Sequence, residues 1–479
     1  MASLYDNSVI LNANRMFDLV ILGSGSAAFA AAIKAADHGA KTAMIERSTL
    51  GGTCVNVGCV PSKNLLRAGE LRYYDSHREF PGILPGRTNL EFTRIIEQKN
   101  QIVRGLRKEK YSDVLRSLTS TKLFRGDARF VSKTRVKVDG INVDGKRFIV
   151  ATGSSPRIPS ILGIESVGYL TNVEALSLRE KPASMVVLGG RALGLEFAQM
   201  YSHMGTNVTL LQRSDRIIPE EEPEISEALH NYLEGEGIKI KTGVQVKRVY
   251  QAQGQKVIVA SANGREFEAR GNELLLATGR EPNTNRLGLE TVPVRLRKDS
   301  AVKVDREMHT TARHVWAAGD VIGEPMLETI AAKEGATAAE NALLGTNRKI
   351  DFLPVPRAIF TSPQVASVGL TEKEAHERGY ECACRTIPMS KVPKAVVIRD
   401  TRGLVKMVAE ASTGRILGVH ILADNAADII QEAVLAVKHR LTIDHIIDTV
   451  HVFPTMTESI KLVATSFRKD IDQLSCCAE

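Results

Sequence analysis

Two cysteines near the N-terminus are spaced for redox chemistry. Cys54 and Cys59 stand in the stretch GGTCVNVGCVPSK, residues 51–63. Five α-helical steps alone rise about 7.5 Å, so the two thiols can form a disulfide only where the backbone between them turns. Such a bond is readily reduced. At a helix start, with Lys63 close in sequence, the helix dipole and the positive charge favour the thiolate. We therefore predict a redox-active pair.

A second pair of cysteines lies near the other end of the chain, in QLSCCAE. Cys476 and Cys477 are adjacent, so their Cα atoms are about 3.8 Å apart, short of the roughly 4.4–6.8 Å of a relaxed disulfide. Two thiols in such a segment indicate a carrier for a soft, thiophilic ligand. A third pair, Cys382 and Cys384 in YECACRT, is interpreted as structural rather than metal-binding.

The element that precedes the first cysteine pair has the pattern of a nucleotide-binding unit. Residues 17–46 read as strand, glycine turn, helix and strand. Gly23, Gly25 and Ala28 form G-x-G-x-x-A, and Glu46 follows roughly 20 residues on, at the end of the second strand. The glycines let backbone amides approach a pyrophosphate, and the carboxylate can accept ribose hydroxyls. This unit is predicted to bind a dinucleotide.

Residues 184–213 repeat the same plan with two departures. Arg191 occupies the place of the middle glycine, and Gln212 stands where an NAD-binding unit carries an acid. Loss of the carboxylate together with nearby guanidinium groups favours a 2′-phosphate, and hence NADPH over NADH. The predicted nucleotide-binding residues of this unit are Gly189, Gly194, Arg213 and Arg216.

Composition narrows the class of protein. The 479 residues include 63 basic and 55 acidic side chains, for a net charge of +8 without a long run of one sign. Anionic cofactors suit that balance, whereas nucleic-acid binding would need a concentrated basic stripe. No stretch of about 18 apolar residues occurs, and the first residues lack the order of a secretory signal. We expect a cytoplasmic protein without a membrane partner. The six cysteines lie in three close pairs, which is too few and too local for a structural disulfide framework.

The pattern changes from about residue 346, where the stretches AVVIRD, LVKMVAE and ILGVHIL read as strands between helices. The sequence TEKE has the form of a capping box, which places a helix start at Thr371. We predict an α/β fold with two Rossmann-like dinucleotide-binding domains and a C-terminal α+β domain. The predicted limits are 1–152 and 273–345 for the first dinucleotide-binding domain, 153–272 for the second, and 346–479 for the third.

The stretch GGTCVNVGCVPSK, the two ATG segments (151–153 and 277–279), AAGD (317–320) and the order of domains resemble the flavin-dependent pyridine nucleotide:disulfide oxidoreductases across essentially the whole chain. The resemblance implies FAD in the first unit, NADPH in the second, and a homodimer made by the third domain. It also implies that Cys59 contacts the flavin, that Cys54 is the exchanging thiol, and that Lys63 lies by the flavin and pairs with Glu196. The implied FAD-binding residues are Gly23, Gly25, Ala28, Glu46, Thr53, Lys63, Gly153 and Asp320.

One position departs from the disulfide reductases of this family, which carry His-Pro-Thr-x-Ser-Glu near the C-terminus. The His returns a proton to the departing thiolate, but this chain reads FPTMTE (453–458). Glu458 is kept, whereas Phe453 replaces the imidazole and has no proton to give. His451 is an alternative donor, although a structural role is favoured. The tyrosines that Hg(II)-reducing members often carry at the Phe453 and Ala192 positions are also missing.

A soft metal ion as substrate accounts for both the missing acid and the terminal dithiol. Two electrons delivered to thiolate-bound Hg(II) leave thiolates behind, so no proton is required. The combination resembles family members that reduce Hg(II), in which the tail of one subunit reaches the partner's active site. The predicted Hg(II) ligands are Cys54, Cys59, Cys476 and Cys477.

Two alternative functions stay open. A disulfide reductase of the thioredoxin reductase kind also carries a C-terminal cysteine pair, but Phe453 argues against it. A flavoprotein whose tail only sequesters thiophilic metals would not need Cys54 and Cys59 beside a complete FAD motif.

Overall fold

The computed structural model describes residues 16–77, 80–86, 89–473 and 475. Its strands, in chain order, are β1 Leu19–Leu22, β2 Thr42–Glu46, β3 Thr121–Arg125, β4 Ala128–Ser132, β5 Arg135–Val138, β6 Ile141–Asp144, β7 Phe148–Val150, β8 Ser154–Pro156, β9 Ser184–Leu188, β10 Asn207–Leu211, β11 Lys239–Lys241, β12 Gln245–Ala252, β13 Gln255–Ala262, β14 Arg265–Gly271, β15 Glu273–Leu276, β16 Arg280–Pro282, β17 Val315–Ala317, β18 Arg357–Ile359, β19 Gln364–Gly369, β20 Cys382–Pro388, β21 Leu404–Glu410 and β22 Ile416–Ala423.

The α-helices are α1 Ser26–Asp37, α2 Gly52–Val57, α3 Cys59–Ser76, α4 Phe92–Arg107, α5 Asp113–Ser117, α6 Ile164–Val167, α7 Asn172–Ala175, α8 Ala192–His203, α9 Pro223–Gly235, α10 Glu328–Leu344, α11 Glu372–Glu377, α12 Pro393–Val397, α13 Ala426–His439, α14 Ile443–Asp448 and α15 Glu458–Thr465. None of the helices within the described ranges is both long enough and apolar enough to cross a lipid bilayer.

The chain divides into two compact units, and the first comprises the described residues up to Asn56 together with Arg104–Ser155 and Glu281–Ile350. Its main sheet has the order β17–β7–β1–β2–β3, with every pair parallel. All four residues of β1 and all three of β7 are buried, as expected for parallel strands covered on both faces. The predicted strand–turn–helix–strand unit over 17–46 is confirmed as β1, α1 and β2.

Helices α1 and α10 pack closely against this sheet and each other. A Cβ added at Gly335 would lie 1.9 Å from the Ala27 carbonyl oxygen, so only a glycine permits the contact. Helix α10 is rich in alanine, with the sequence ETIAAKEGATAAENALL. Strand β17 precedes this helix in the chain and ends at Ala317, before Gly319 and Asp320.

The second unit comprises Val57–Val103, Pro156–Arg280 and the described chain from Asp351 onward. Its parallel sheet has the order β11–β10–β9–β15, and β12, β13 and β14 form an antiparallel sheet. The second predicted βαβ unit is confirmed as β9, α8 and β10.

The same unit contains a five-stranded antiparallel sheet in the order β18–β19–β22–β21–β20. One of its faces packs against α13, α14 and α15 through a cluster of buried aliphatic residues. The α/β class with an α+β C-terminal part is therefore confirmed. The four predicted domain limits remain an interpretation of the sequence.

Two local predictions in this part have different outcomes. The helix start at Thr371 is confirmed, since its hydroxyl accepts from the Glu374 amide and the Glu374 carboxylate accepts from the Thr371 amide. The strand predicted in AVVIRD is wrong, because the first three residues of that stretch lie in helix α12 and the next two form a turn after it. Pro393 stands in the first turn of α12, where its fixed φ favours a helix start, and this local effect outweighs the β propensity of the valines.

Candidate functional site

The glycine turn after β1 forms an open backbone cradle. Gly23 has φ +121°, and a Cβ there would lie 2.1 Å from the Ala151 carbonyl oxygen. Gly25 is the N-cap of α1 and makes no side-chain cap, and a Cβ at Gly52 would lie 2.6 Å from the Gly25 Cα. Buried Ala28 lies in the first turn of the helix. Backbone amides at a helix start that have no side-chain cap suit a pyrophosphate.

Glu46 ends β2 and is nearly buried, at 8% exposure. Its Oε2 accepts from the Ser24 hydroxyl at 2.5 Å, and its Oε1 accepts from the Ser48 amide at 2.6 Å and hydroxyl at 3.0 Å. A carboxylate has about four acceptor sites, so these bonds fix its orientation and leave capacity for ribose hydroxyls. The serines were not recognised in the sequence.

Asp320, just after β17, and Glu334, on α10, form a second group of acidic residues. Asp320 accepts from the Ser154 hydroxyl at 2.6 Å, next to Gly153, whose φ is +68° and whose carbonyl accepts from the Asn283 amide at 2.9 Å. The Gly319 amide donates to Glu334 Oε2 at 2.7 Å, whereas Glu334 Oε1 is buried without a hydrogen-bond partner. An orphaned buried oxygen beside the Gly-Asp turn suits a bound polar cofactor.

Glu334 on α10 was missed by the sequence analysis because it is one of three glutamates in an alanine-rich helix. Burial, and to a smaller extent the Asp320 charge, raises the pKa of the Glu334 carboxyl to about 7 against the pull of the Gly319 hydrogen bond. The raised pKa means that the folded protein holds a proton there at pH values where the unfolded chain has lost it.

We expect Glu334→Gln to stabilise the holoenzyme in a pH-dependent way. A raised folded-state pKa gives stability that is complete below the unfolded value of 4.5 and is lost as pH rises through about 7. The stabilisation should thus grow between pH 5 and pH 8, by on the order of 3 kcal/mol at most. Unfolding midpoints at the two pH values check this, with Glu340→Gln on the same helix as control. An equal shift at both pH values would contradict it.

Cys54 lies half-buried in α2, directly after Thr53. Asn56 in the same helix donates to the carbonyls of Leu50 at 3.0 Å and Gly52 at 2.8 Å, and its Oδ1 accepts from Arg107 Nη1 at 3.0 Å. Both polar atoms of this side-chain amide therefore hold the short helix that carries Cys54. The Arg107 contact spans 51 residues, which explains why the sequence did not reveal it.

Cys59 is exposed at the first position of α3, an 18-residue helix. Its N-cap Gly58 makes no side-chain hydrogen bond, so the helix dipole and open amides act on the thiol without a competing cap. The Asn172 amide donates to the Val57 carbonyl at 2.6 Å and anchors the segment just before this helix.

Lys63, one turn beyond Cys59, is held in place by Glu196 of α8. Lys63 Nζ lies 2.6 Å from Glu196 Oε2, and Glu196 Oε1 accepts from the Phe360 amide at 3.0 Å. The same Nζ lies 4.7 Å from the centroid of the Phe360 ring, within cation–π range. The pair that the resemblance implied is thus in contact, and Phe360 is an additional partner that the sequence did not indicate.

The second glycine turn has its own pattern. Gly189 has φ +115°, and a Cβ at Gly194 would lie 1.9 Å from the Gly189 carbonyl oxygen, so both positions need glycine. Arg191, the N-cap of α8, points to Glu220 at 3.6 Å and is 55% exposed. Buried Gln212 accepts from the Gly190 amide at 2.9 Å and therefore shapes the turn itself.

The two predicted 2′-phosphate ligands differ in their surroundings. Arg216 Nη2 donates to the carbonyls of Pro219 at 2.8 Å and Glu221 at 2.9 Å, so this guanidinium already stabilises its own loop. Arg213 is exposed, two residues beyond the end of β10. Of the two arginines, Arg213 is the better placed to meet an anion from solvent.

Phe453 stands where the resembled family carries its acid, and the structure describes it together with His451 and Glu458. Phe453 is 47% exposed, and Glu458 accepts from the Thr455 amide at 3.2 Å. His451 Nε2 lies 2.9 Å from Glu432 Oε1, and its Nδ1 lies 2.9 Å from the Thr449 carbonyl. Both ring nitrogens of His451 thus have partners within this chain, which supports its interpretation as structural. Cys476 and Cys477 lie outside the described residues.

Comparisons with known proteins agree with this geometry. Residues 17–335 match the family "Pyridine nucleotide-disulphide oxidoreductase", and residues 355–464 match its dimerisation domain. The mercuric reductase of Lysinibacillus sphaericus is 42% identical over 99% of this chain and 86% of its own length, and that of Streptomyces lividans is 42% identical over 98% and 100%. Among solved structures, the Cu(II) complex of the HOCl-induced flavoprotein disulfide reductase RclA from Escherichia coli has a TM-score of 0.85 and 28% identity, covering 95% of this chain and 100% of that one.

Proposed function

This chain belongs to the pyridine nucleotide-disulphide oxidoreductase family, and on that basis we propose that it reduces thiol-bound Hg(II) to Hg(0) with electrons from NADPH. The observation that carries the substrate assignment is Phe453, which stands where a disulfide reductase needs an acid. Its ring is 47% exposed and has no proton to transfer, and the neighbouring His451 is already bonded at both nitrogens.

The enzyme is a flavoprotein that binds FAD and uses NADPH. When bound, FAD accepts two electrons from NADPH and makes them available at the cysteine pair. The residues that hold FAD in this proposal come from the cradle after β1, the end of β2, α2, α3 and the two turns near the end of the sheet: Gly23, Gly25, Ala28, Glu46, Thr53, Lys63, Gly153 and Asp320. Those that hold NADPH are Gly189, Gly194 and Arg213, with Arg216 supporting the loop.

Cys54 and Cys59 bind the metal as thiolates. Hg(II) exchanges its two ligands on the delivering tail, Cys476 and Cys477, for these two sulfurs, and the protons that Cys54 and Cys59 give up pass to the departing tail thiolates. Two electrons then convert the bound Hg(II) to Hg(0), which leaves both cysteines as thiolates. No proton has to reach a departing sulfur in that step, whereas disulfide exchange requires one.

Lys63 and Glu196 position a positive charge one turn beyond Cys59. Glu196 is 6% exposed on its side chain and Lys63 is 31% exposed, so the ammonium is fixed but remains in reach of solvent and ligand. A fixed cation stabilises negative charge on nearby groups. We assign Lys63 to charge stabilisation at the reacting centre, and Glu196 to positioning Lys63.

The terminal cysteines deliver the metal. The dimerisation domain supports a homodimer, and in our proposal the tail of one subunit carries Hg(II) on Cys476 and Cys477 to Cys54 and Cys59 of the other. Transfer between dithiols of one assembly is favoured over release because the effective concentration is high.

The test is whether metallic mercury forms. Purified holoenzyme, NADPH and Hg(II) complexed with excess monothiol should consume one NADPH for each Hg(0) collected from the headspace. Cu(II) under the same conditions is the comparison arm, since RclA was solved as a Cu(II) complex. NADPH consumption without mercury vapour would contradict the proposal.

We expect Arg213→Gln to weaken NADPH use selectively. Loss of a charge-assisted hydrogen bond to the 2′-phosphate costs about 1.5–3 kcal/mol, which raises the KM for NADPH by roughly 10- to 100-fold. The KM for NADH should change little. Steady-state kinetics with both nucleotides checks this, with Arg265→Gln, an exposed arginine of β14, as control. An equal loss with both nucleotides would argue against a 2′-phosphate contact.

A further inference from the structure

The third cysteine pair lies on one face of an edge strand. Cys382 and Cys384 are alternate residues of β20, the outermost strand of the five-stranded sheet, so their side chains point to the same side. Both are half-buried and pack against a small apolar cluster that includes Leu370, Ala375 and Leu417. The other face of the sheet packs against the large aliphatic cluster. The face with Cys382 and Cys384 instead brings thiols and polar groups together.

Helix α11 places further ligand types next to the two thiols. His376 Nε2 lies 3.4 Å from Cys382 Sγ. The Cys384 thiol interacts with the Glu372 carboxylate and with the Cys382 thiol. Glu372 is itself held 2.8 Å from Lys406 Nζ, and the capping box at Thr371 fixes the start of the helix. The backbone of strand β20 and of helix α11 therefore brings these side chains to one place.

We propose that Cys382 and Cys384 form a second binding site for thiophilic cations, which takes Hg(II) through two sulfur ligands with His376 beside them. Soft thiolate donors select soft cations, and two thiolate ligands are enough to bind Hg(II). Within the described ranges, no three His, Cys, Asp or Glu side chains are arranged to hold a metal ion. The cation expected at two sulfur donors is one that accepts two-coordinate sulfur, unlike the four-ligand zinc of structural sites.

The exchange of ligands on Hg(II) needs no additional reactant. Hg(II) arrives with two small-thiol ligands, two mercury–sulfur bonds break, and two new ones form to Cys382 and Cys384. The two protons released by the cysteines are taken by the departing small thiolates. No electrons are transferred, so the site requires neither FAD nor NADPH and goes beyond the proposed reduction.

The test uses the full chain with the other four cysteines removed. A variant with Cys54→Ser, Cys59→Ser, Cys476→Ser and Cys477→Ser retains only Cys382 and Cys384. HgCl₂ in excess monothiol is added, small molecules are removed by desalting, and protein-bound mercury is measured by elemental analysis. We expect stoichiometric Hg(II) on this variant and a fall to background when Cys382→Ser and Cys384→Ser are added. Background mercury on the first variant, or equal mercury on both, would overturn the site.

A second measurement avoids multiple substitutions. The unmodified protein is alkylated with N-ethylmaleimide under denaturing quench, with and without prior Hg(II), and the peptide containing both cysteines is mapped by mass spectrometry. Protection of Cys382 and Cys384 together supports the site, and unchanged alkylation of both overturns it. Because neither experiment involves NADPH turnover, failure here is distinguishable from failure of the proposed reduction.

Discussion

Replacement of Cys59 by Ala is expected to lower the kcat for NADPH-dependent reduction of thiol-bound Hg(II) by roughly 10³-fold or more, as removal of a group that binds the reacting atom does. Cys59 begins α3 with its helix N-terminus uncapped, and no neighbouring thiol on that helix can replace it. FAD should remain bound, because the glycine cradle after β1 is untouched. The absorbance spectrum of the flavin and the rate of mercury release measure the two effects separately.

The matched control for this variant is Ser76→Ala, at the last position of the same helix. It should retain the activity of the unmodified enzyme. If Cys59→Ala kept a rate within about tenfold of the control, the metal would not be reduced at this pair, and the assignment of Cys54 and Cys59 as ligands would fail with it.

The double variant Cys476→Ala and Cys477→Ala is expected to lower kcat/KM for Hg(II) in excess monothiol by roughly 100-fold. The reason is that a dithiol attached to the enzyme has a high effective concentration at Cys54 and Cys59. The half-reaction in which NADPH reduces the flavin should be unchanged. Stopped-flow absorbance follows that half-reaction, and mercury release follows turnover. Ser475→Ala, immediately before the pair, is the control.

Two outcomes distinguish delivery from other roles of the tail. Loss of turnover together with slower flavin reduction would mean that the substitutions damage the enzyme generally. Full turnover at high monothiol would mean that Hg(II) reaches Cys54 and Cys59 without the tail, and the carrier role would be wrong.

Much of the fold follows from local sequence. The parallel strands are continuous apolar runs such as LVIL in β1, and the glycines that end them have φ values near +115° to +121° that other residues rarely adopt. AVVIRD misled the prediction because its valines favour a strand in isolation, whereas Pro393 just upstream starts the helix.

The candidate site was predictable only where it is local in sequence. The cysteines, Lys63 and the glycines stand in short motifs, and Glu196 was reached through the family resemblance. Asn56 and Phe360 act through contacts that span 51 and 164 residues, which no spacing pattern encodes. Arg216 illustrates the opposite case, since a plausible phosphate ligand in the sequence has two backbone carbonyls as partners in the fold.

The pKa of Glu334 likewise depends on the assembled unit. Its burial comes from the packing of α10 on the parallel sheet, and its one bonded oxygen depends on the Gly319 amide, 15 residues away. A glutamate in an alanine-rich helix that also carries Glu328 and Glu340 is equally compatible with an exposed position, so the sequence could not assign it.

We propose that position 453 offers no acid to a departing sulfur, and that the active site therefore favours a metal over a disulfide. The most direct measurement compares, in one enzyme preparation, kcat/KM for thiol-bound Hg(II) with kcat/KM for oxidised glutathione and oxidised thioredoxin. General acid catalysis contributes about 10²- to 10⁴-fold, so we expect Hg(II) to be preferred by at least roughly 100-fold. Comparable rates with either disulfide would show that a proton donor is present, and would contradict the account.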